Sequence, residues 1–591
     1  MTAAETNPLR EKIRSQKRAG VALPLLSLVS QESFECGDFY SLQLLKDWAK
    51  GTGLSIVQIL PLNDLGNGRS PYSSISAFAI DPIYISLKLL GLPQRSRSKS
   101  IKATKINIAR VRELKLSYLY SQYQKIVNED LQKELKGFLQ AQKVWLPVYA
   151  AFKILYDRNS GNHWKEWQYG SVFSDSLVEE IRKENPGVFY FHVWVQSLAF
   201  QQLSACKKLY EQDGVFLKGD LPILTSGNSA DVWSKPHFFN MNMTAGAPPD
   251  YFNANGQNWG FPVLEWSHMK QVSYSWWQER LAYVEHFYHL YRIDHVLGMF
   301  RIWAIPLGSD SAKKGFFYPQ HGVLREDFEK KGLNPDEYIK RNLIYEFSPG
   351  RYIFYWDFWK EHSYQELPEE IKAPLYPLSH EYLEKDEAMW REAGEHVLQC
   401  LLQSSGMLPC VEDLGAVPEF VRDTIHHKQL IGIDVIRWTR SFEDGSYIGA
   451  GGYRKNAVST LSVHDTSIAT AWWEEGDDND RHALQELLGL HGEFSKGQLL
   501  EAMLKFSLQT NSIFSINLLQ DFILEEGFNS FHDAESDLDI LANPTKHRIN
   551  VPGTPDTKNW GYRYPFHVEQ LLGAKDLASK ILTFVKESKR V

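Results

Sequence analysis

The sequence predicts an α/β fold: a closed (β/α)8 TIM barrel carrying large, mainly helical insertions. Three observations lead there. Short apolar runs bounded by turn residues recur eight times, as the buried strands of a parallel sheet do. Helical periodicity fills the stretches between them, as at Phe191, Trp194, Val195 and Leu198, spaced i, i+3, i+4 and i+7. No G-x-G-x-x-G opens a helix, which disfavours the doubly wound open sheet that the same alternation allows.

The first strand falls in GVALPLLSL (20–28). Basic residues Arg10, Lys12, Arg14, Lys17 and Arg18 precede it, as they would in a secretory leader. However, Pro24 breaks the apolar run, no A-x-A site follows closely, and Glu5 and Glu11 sit in the basic region, so the run reads as a strand. SIVQILPL (55–62) is the second strand and GVFLKGDLPI (214–223) the third. Residues 63–213 between them are too many for a simple crossover and predict an inserted subdomain, strongly helical from about 105 to 212. HLYRIDHVLG (289–298) is the fourth strand, and residues 299–406 predict a second inserted subdomain. MLPCVEDLG (407–415), GIDVIRW (432–438), AVSTLSVHD (457–465) and SIFSINLLQ (512–520) complete the set. Residues 1–591 thus form one catalytic barrel with two insertions able to wall its mouth.

Composition narrows the function. Of 591 residues, 43% are hydrophobic and 23% charged, which excludes a disordered, collagen-like or coiled-coil chain. A net charge of -8 argues against a nucleic-acid partner. The basic stretch RSRSKSIKATK (95–105) lacks interleaved aromatics and reads as a solvated loop. No run of 18 apolar residues suggests a membrane span. The 18 Trp and 28 Tyr suit a glycan binder, because flat amphipathic rings stack on sugar faces, although most such rings serve cores. Four cysteines, Cys36, Cys206, Cys400 and Cys410, form neither a disulfide framework nor a zinc pattern, and point to a reducing cytoplasm. His426 and His427 are adjacent, not spaced to share a zinc ion.

The chemistry sits at strand ends. Asp294 ends the fourth strand, Glu412 the fifth and Asp465 the seventh, and barrel strand ends converge on one mouth. Any one of these acids alone would more often cap a helix, and His464 alone would more often be a core histidine. Three acids together fit glycoside chemistry, which needs an ionised nucleophile and a protonated acid close by. Arg292, two residues before Asp294 and on the same strand face, supplies positive charge, while crowding by other carboxylates should raise the pKa of Glu412.

The segments SPYSSISAFAIDP (70–82), KGDLPI (218–223), SADVW (229–233), GAPPDYFNANGQNWGFP (246–262), YRIDHVLG (291–298), VEDLG (411–415), STLSVHDT (459–466) and INVPGTPDTKNWGYR (549–563) together resemble the 4-α-glucanotransferase family of amylomaltases and disproportionating enzymes. FRIWAIP (300–306) and LPCVEDLG (408–415) look most like the plant-type enzyme, although the chain is too short for the starch-binding modules that precede that catalytic domain. Relative to the family, Val411 stands where many members have Ala, and residues 299–406 exceed the shorter bacterial members. The resemblance implies Asp294 as nucleophile, Glu412 as acid/base and Asp465 as transition-state stabiliser. It implies Arg292, Asp220 and His464 around the cleaved sugar, Tyr72 stacking or hydrogen-bonding there, Trp259 and Tyr251 covering the acceptor side from a 246–262 loop, and Asn550 as a further contact. The expected reaction is a retaining double displacement that moves glucosyl or maltooligosyl units between α-1,4-glucans, such as maltose, maltodextrins and glycogen, with no cofactor and no metal. An α-glucan hydrolase on the same fold is the close rival, and a non-catalytic glycan-binding protein the distant one. Donor length, acceptor and oligomeric state stay open.

Overall fold

In a computed structural model of the chain, residues 7–92, 105–249, 253–441, 443–529, 531 and 539–590 are described. All but Lys105 of the basic stretch 95–105 lies outside them, as does Tyr251.

Every apolar run gives rise to a barrel strand: β1 Arg18–Leu23, β2 Ile56–Ile59, β3 Phe216–Leu221, β4 Leu290–Ile293, β5 Leu408–Val411, β6 Gly432–Val435, β7 Ala457–Thr460 and β8 Phe514–Leu518. They form one parallel eight-stranded sheet in the order β5-β4-β3-β2-β1-β8-β7-β6. From β3 to β8 every strand residue is buried, because helices cover the outside and side chains fill the inside. The edges β5 and β6 meet through a parallel bridge between Cys410 and Ile431, where the Val411 N–H donates to the Ile431 carbonyl at 2.8 Å. A side-chain clasp completes this seam. The Asp413 carboxylate accepts from the Ile433 N–H at 2.8 Å and from Arg454 at 2.6 Å, and Arg454 also donates to Asp434 and to the Ile433 carbonyl.

The outer layer includes the helix Phe39–Gly51, started by Asp38, whose side chain accepts from the Tyr40 and Ser41 N–H groups. Pro186–Gln212, Ser275–Val284, Glu369–Gln403 and Lys496–Gln509 lie ahead of β3, β4, β5 and β8. Phe191, Trp194, Val195 and Leu198 are all buried on the first of these, as their spacing predicts. Between β6 and β7 the described residues form only a short 3-10 turn, Ala450–Gly452, instead of a crossover helix.

The two chain ends close the bottom of the barrel. Arg10 donates to the carbonyls of Leu402, Ser405 and Met407 below β5. Arg590 is fully buried and donates to the carbonyls of Arg18, Leu508, Thr510, Ser512 and Ile513 below β1 and β8.

Between β2 and β3 the chain forms the helices Ile108–Ile126, Glu129–Ala141, Leu146–Arg158, Asp175–Glu184 and Pro186–Gln212. The long segments on either side of β4 also carry two small sheets. Phe239–Ala247 and Gln257–Leu264 form an antiparallel hairpin that pairs with Ile302–Pro306 and then Phe316–Tyr318 in a four-stranded sheet. Of residues 246–262, expected as a loop, Gly246, Ala247 and 257–262 thus belong to the strands of this hairpin. Gly246, Pro248, Pro249 and Gly256 read as turn signals, while the strand that pairs with this segment lies about 60 residues away in sequence (Gly246 opposite Trp303). A second small sheet joins Val323–Leu324, Arg351–Phe354 and Ile344–Ser348.

Candidate active site

The C-terminal ends of β3, β4 and β5 assemble one half of the site. Asp220 on β3 is in register with Arg292 on β4, and Arg292 with Cys410 on β5. Asp294 and Glu412 each follow their strand by one residue, so neighbouring, hydrogen-bonded strands deliver them to the same rim. Backbone bonds lock the two rims together. The Glu412 N–H donates to the Ile293 carbonyl at 2.9 Å, and the Val296 N–H donates to the Glu412 carbonyl at 3.1 Å.

Arg292 organises the carboxylates. Its Nη1 lies 2.8 and 2.9 Å from the two Asp220 oxygens and 2.8 Å from Asp294 Oδ1, and its Nη2 lies 3.9 Å from Glu412 Oε2. Burial opposes its charge, but Asp220 and Asp294 outweigh burial and hold its proton more tightly than usual. Glu412 Oε2 also accepts from the His295 N–H at 2.7 Å, and Oε1 from the Leu414 N–H at 3.1 Å. His295 reaches this position in the left-handed region, at φ 46°. Neither acid side chain caps a helix.

Burial is the main reason that both acids hold protons better than free carboxyls. It pushes Asp294 up to about 6, with Arg292 opposing and Asp220 and Glu412 adding to the rise. It raises Glu412 as well, against Arg292 and two backbone amides. The expected cause, crowding by neighbouring carboxylates, is secondary for Glu412: only Asp413 contributes in that sense among its larger influences.

Asp465 comes from the other side, on the loop that follows β7. Asn550 Nδ2 donates to its Oδ1 at 2.6 Å, and His464 Nε2 lies 3.2 Å from its Oδ2. Burial works to raise its pKa, but His464, Asn550 and Arg292 outweigh burial and hold it at about 2. The same partnership raises His464 despite its burial. Tyr72 bridges the two halves. Its hydroxyl donates to Asp220 Oδ2 at 2.8 Å while its ring stacks on His464, with centroids 5.2 Å apart.

These groups surround a cavity of about 580 Å³, within the range of small-ligand sites, lined among others by Tyr72, Arg292, Asp294, Glu412, Asp465 and Asn550. Trp259, on the hairpin, lines it too and sets its ring edge-on to His295 at 5.0 Å. Asp220 stands behind, touching the cavity through Arg292 and Tyr72. Of the residues singled out from sequence, all but the undescribed Tyr251 gather here. Sequence reasoning missed Trp438, Trp560, His295, Gln58 and Lys218, which also line the cavity. Trp560 and His295 lie inside the motifs NWGYR and YRIDH, and both stand at positive φ, a backbone conformation the sequence does not show. Among the described residues, no group of three or more His, Cys, Asp or Glu side chains is placed to hold a metal ion, and no helix is long and apolar enough to cross a membrane.

A parallel barrel with paired carboxylates facing a cavity at its C-terminal rim defines a protein of the class that works on glycosidic bonds. Comparison with known proteins makes this specific. The family described as 4-alpha-glucanotransferase matches residues 23–569, and the chain belongs to that family. It is 31% identical to a 4-alpha-glucanotransferase of Chlamydia pneumoniae, over 95% of this chain and 93% of that protein. It is 29% identical to 4-alpha-glucanotransferase DPE2 of Oryza sativa subsp. japonica, over 97% of this chain and 70% of that one. In fold it is similar to the amylomaltase of Streptococcus agalactiae solved in complex with acarbose, with a TM-score of 0.73, 20% identity, and 97% and 99% of the two chains covered.

Proposed function

We propose that this enzyme transfers glucosyl or maltooligosyl units between α-1,4-glucans with retention of configuration. Asp294 attacks the anomeric carbon from one face while Glu412 protonates the departing glycosidic oxygen, leaving a glycosyl group on Asp294. Glu412, now ionised, takes the proton of an acceptor 4-hydroxyl, which displaces Asp294 and restores the α linkage. The single observation that carries this reading is that Asp294 and Glu412 lie on adjacent strands, both within 3.9 Å of one guanidinium. Asp465, held ionised by His464 and Asn550, stabilises positive charge developing on the sugar ring. Arg292, Tyr72, His464 and Asn550 grip that ring, with Asp220 behind them holding Arg292 and Tyr72 in place. Maltose and maltodextrins serve as donors, and a maltodextrin or glycogen end as acceptor, in a cytoplasmic setting where the four cysteines stay free thiols.

The test is incubation with maltotriose, followed by chromatography of the products and a count of reducing ends. Transfer yields a ladder of longer glucans at constant reducing ends; a steady rise in reducing ends would instead assign a hydrolase. Asp294→Asn should lose at least about 1,000-fold in rate, since removing a covalent nucleophile costs that order. Glu412→Gln should be slow on maltotriose but recover glycosylation on α-maltosyl fluoride, whose leaving group needs no acid. Full activity of Asp294→Asn would overturn the assignment.

A further inference from the structure

The cavity does not end at the carboxylates. It runs down between the strands, with Ala22, Gln58 and Lys218 on one side and Ile433, Val458 and Ile516 on the other. The first three form one row, Ala22 in register with Gln58 and Gln58 with Lys218. Lys218 precedes Asp220 by two residues on β3, so it shares that face of the strand about 7 Å deeper.

Lys218 is wholly buried, and its Nζ has no hydrogen-bond partner among the described residues. The Cys410 thiol beside it is a weak acceptor, and Arg292 is a second cation. The Gln58 side-chain amide likewise makes no hydrogen bond among the described residues. A buried ammonium without a partner is costly, and the apolar residues opposite would pack equally well against a methionine. Two polar side chains in register, facing one cavity and held by nothing stronger than the Cys410 thiol, mark a place kept for a ligand.

We infer that Gln58 and Lys218 form a hydroxyl-binding site in the floor of the cavity, taking one hydroxyl of the hexose ring held by the acid cluster. The inference rests on the reading of Asp294 and Glu412 as sugar-processing acids. Charge selects the ligand class. Asp220, Asp294, Glu412 and Asp465 crowd the layer above, so a further anion is repelled, and an apolar group would leave both donors unpaired. A neutral hydroxyl accepts from the Lys218 ammonium and donates to the Gln58 carbonyl oxygen.

The test compares wild type with Lys218→Met on α-glucosyl fluoride and its analogues singly deoxygenated at C2, C3 or C6, with maltose as acceptor. Lys218→Met should lower kcat/KM about 10- to 100-fold on the parent donor, as loss of a charged hydrogen bond does, and under about 3-fold on the one analogue lacking the partner hydroxyl. Its melting temperature should equal or exceed that of wild type, because an unpaired buried charge is gone. Gln58→Leu carries the same test should Lys218→Met fail to fold. An equal penalty on every donor, or none on any, overturns the inference. If wild type binds these donors without turnover, titration of the same series measures the penalties as Kd ratios, and the absence of turnover sinks the transfer reading alone.

Discussion

At the scale of the residue, the site divides its carboxylates by environment. Asp465 is paired with His464 and Asn550 and stays ionised, whereas burial makes Asp294 and Glu412 reluctant to ionise. In the proposed reaction Asp294 attacks in its ionised form, so kcat/KM should fall as pH drops through about 6, which a pH–rate profile on maltotriose checks. The same shift affects stability. A carboxyl whose folded pKa is raised above its unfolded value leaves the native state at a disadvantage above both values and at none below them. Asp294→Asn should therefore raise the melting temperature at pH 7.5 and leave it almost unchanged near pH 3.5; equal shifts at both would contradict the buried-acid picture. The acids were legible in sequence because a carboxylate at the end of an apolar strand is conspicuous. Lys218 was not: it lies inside such a run, and only register with Gln58 reveals that both face the cavity. The cause of the Glu412 shift was also hidden, since burial is a property of the assembled rim.

At the scale of the element, all eight strands were legible from apolar runs, while the hairpin strands Phe239–Ala247 and Gln257–Leu264 were not, because the first of them pairs with a strand about 60 residues further on. Its Trp259 projects into the cavity beside His295. Trp259→Ala should raise the share of glycosyl groups lost to water several-fold, measured as glucose released per transfer event, by opening the covalent intermediate to solvent. The seam between β5 and β6 has few ladder bonds, so the Asp413–Arg454 clasp carries much of the closure. Asp413 is 3% exposed and Arg454 45% at the side chain. Asp413→Ala should cost about 2 kcal/mol by leaving the Ile433 N–H unpaired, read by urea unfolding and by faster amide exchange in β6. At the opposite end, Arg590→Ala strips donors from five carbonyls and should cost about 3 kcal/mol or more in the same unfolding measurement.

At the scale of the whole molecule, the architecture explains why acids so far apart in sequence meet. Positions 294 and 412 are separated by the long segment 299–406, but that excursion leaves and rejoins the barrel at neighbouring strands, and the hydrogen bonds between β4 and β5 bring the two rims back together. Adjacent strands lie about 4.8 Å apart, so side chains that leave neighbouring strand ends on one rim start close together. In the proposed double displacement that closeness lets one acid attack while the other handles the proton. A slip of β4 by one residue against β5 would turn Asp294 to the opposite face of the sheet and part the two acids without altering either of them.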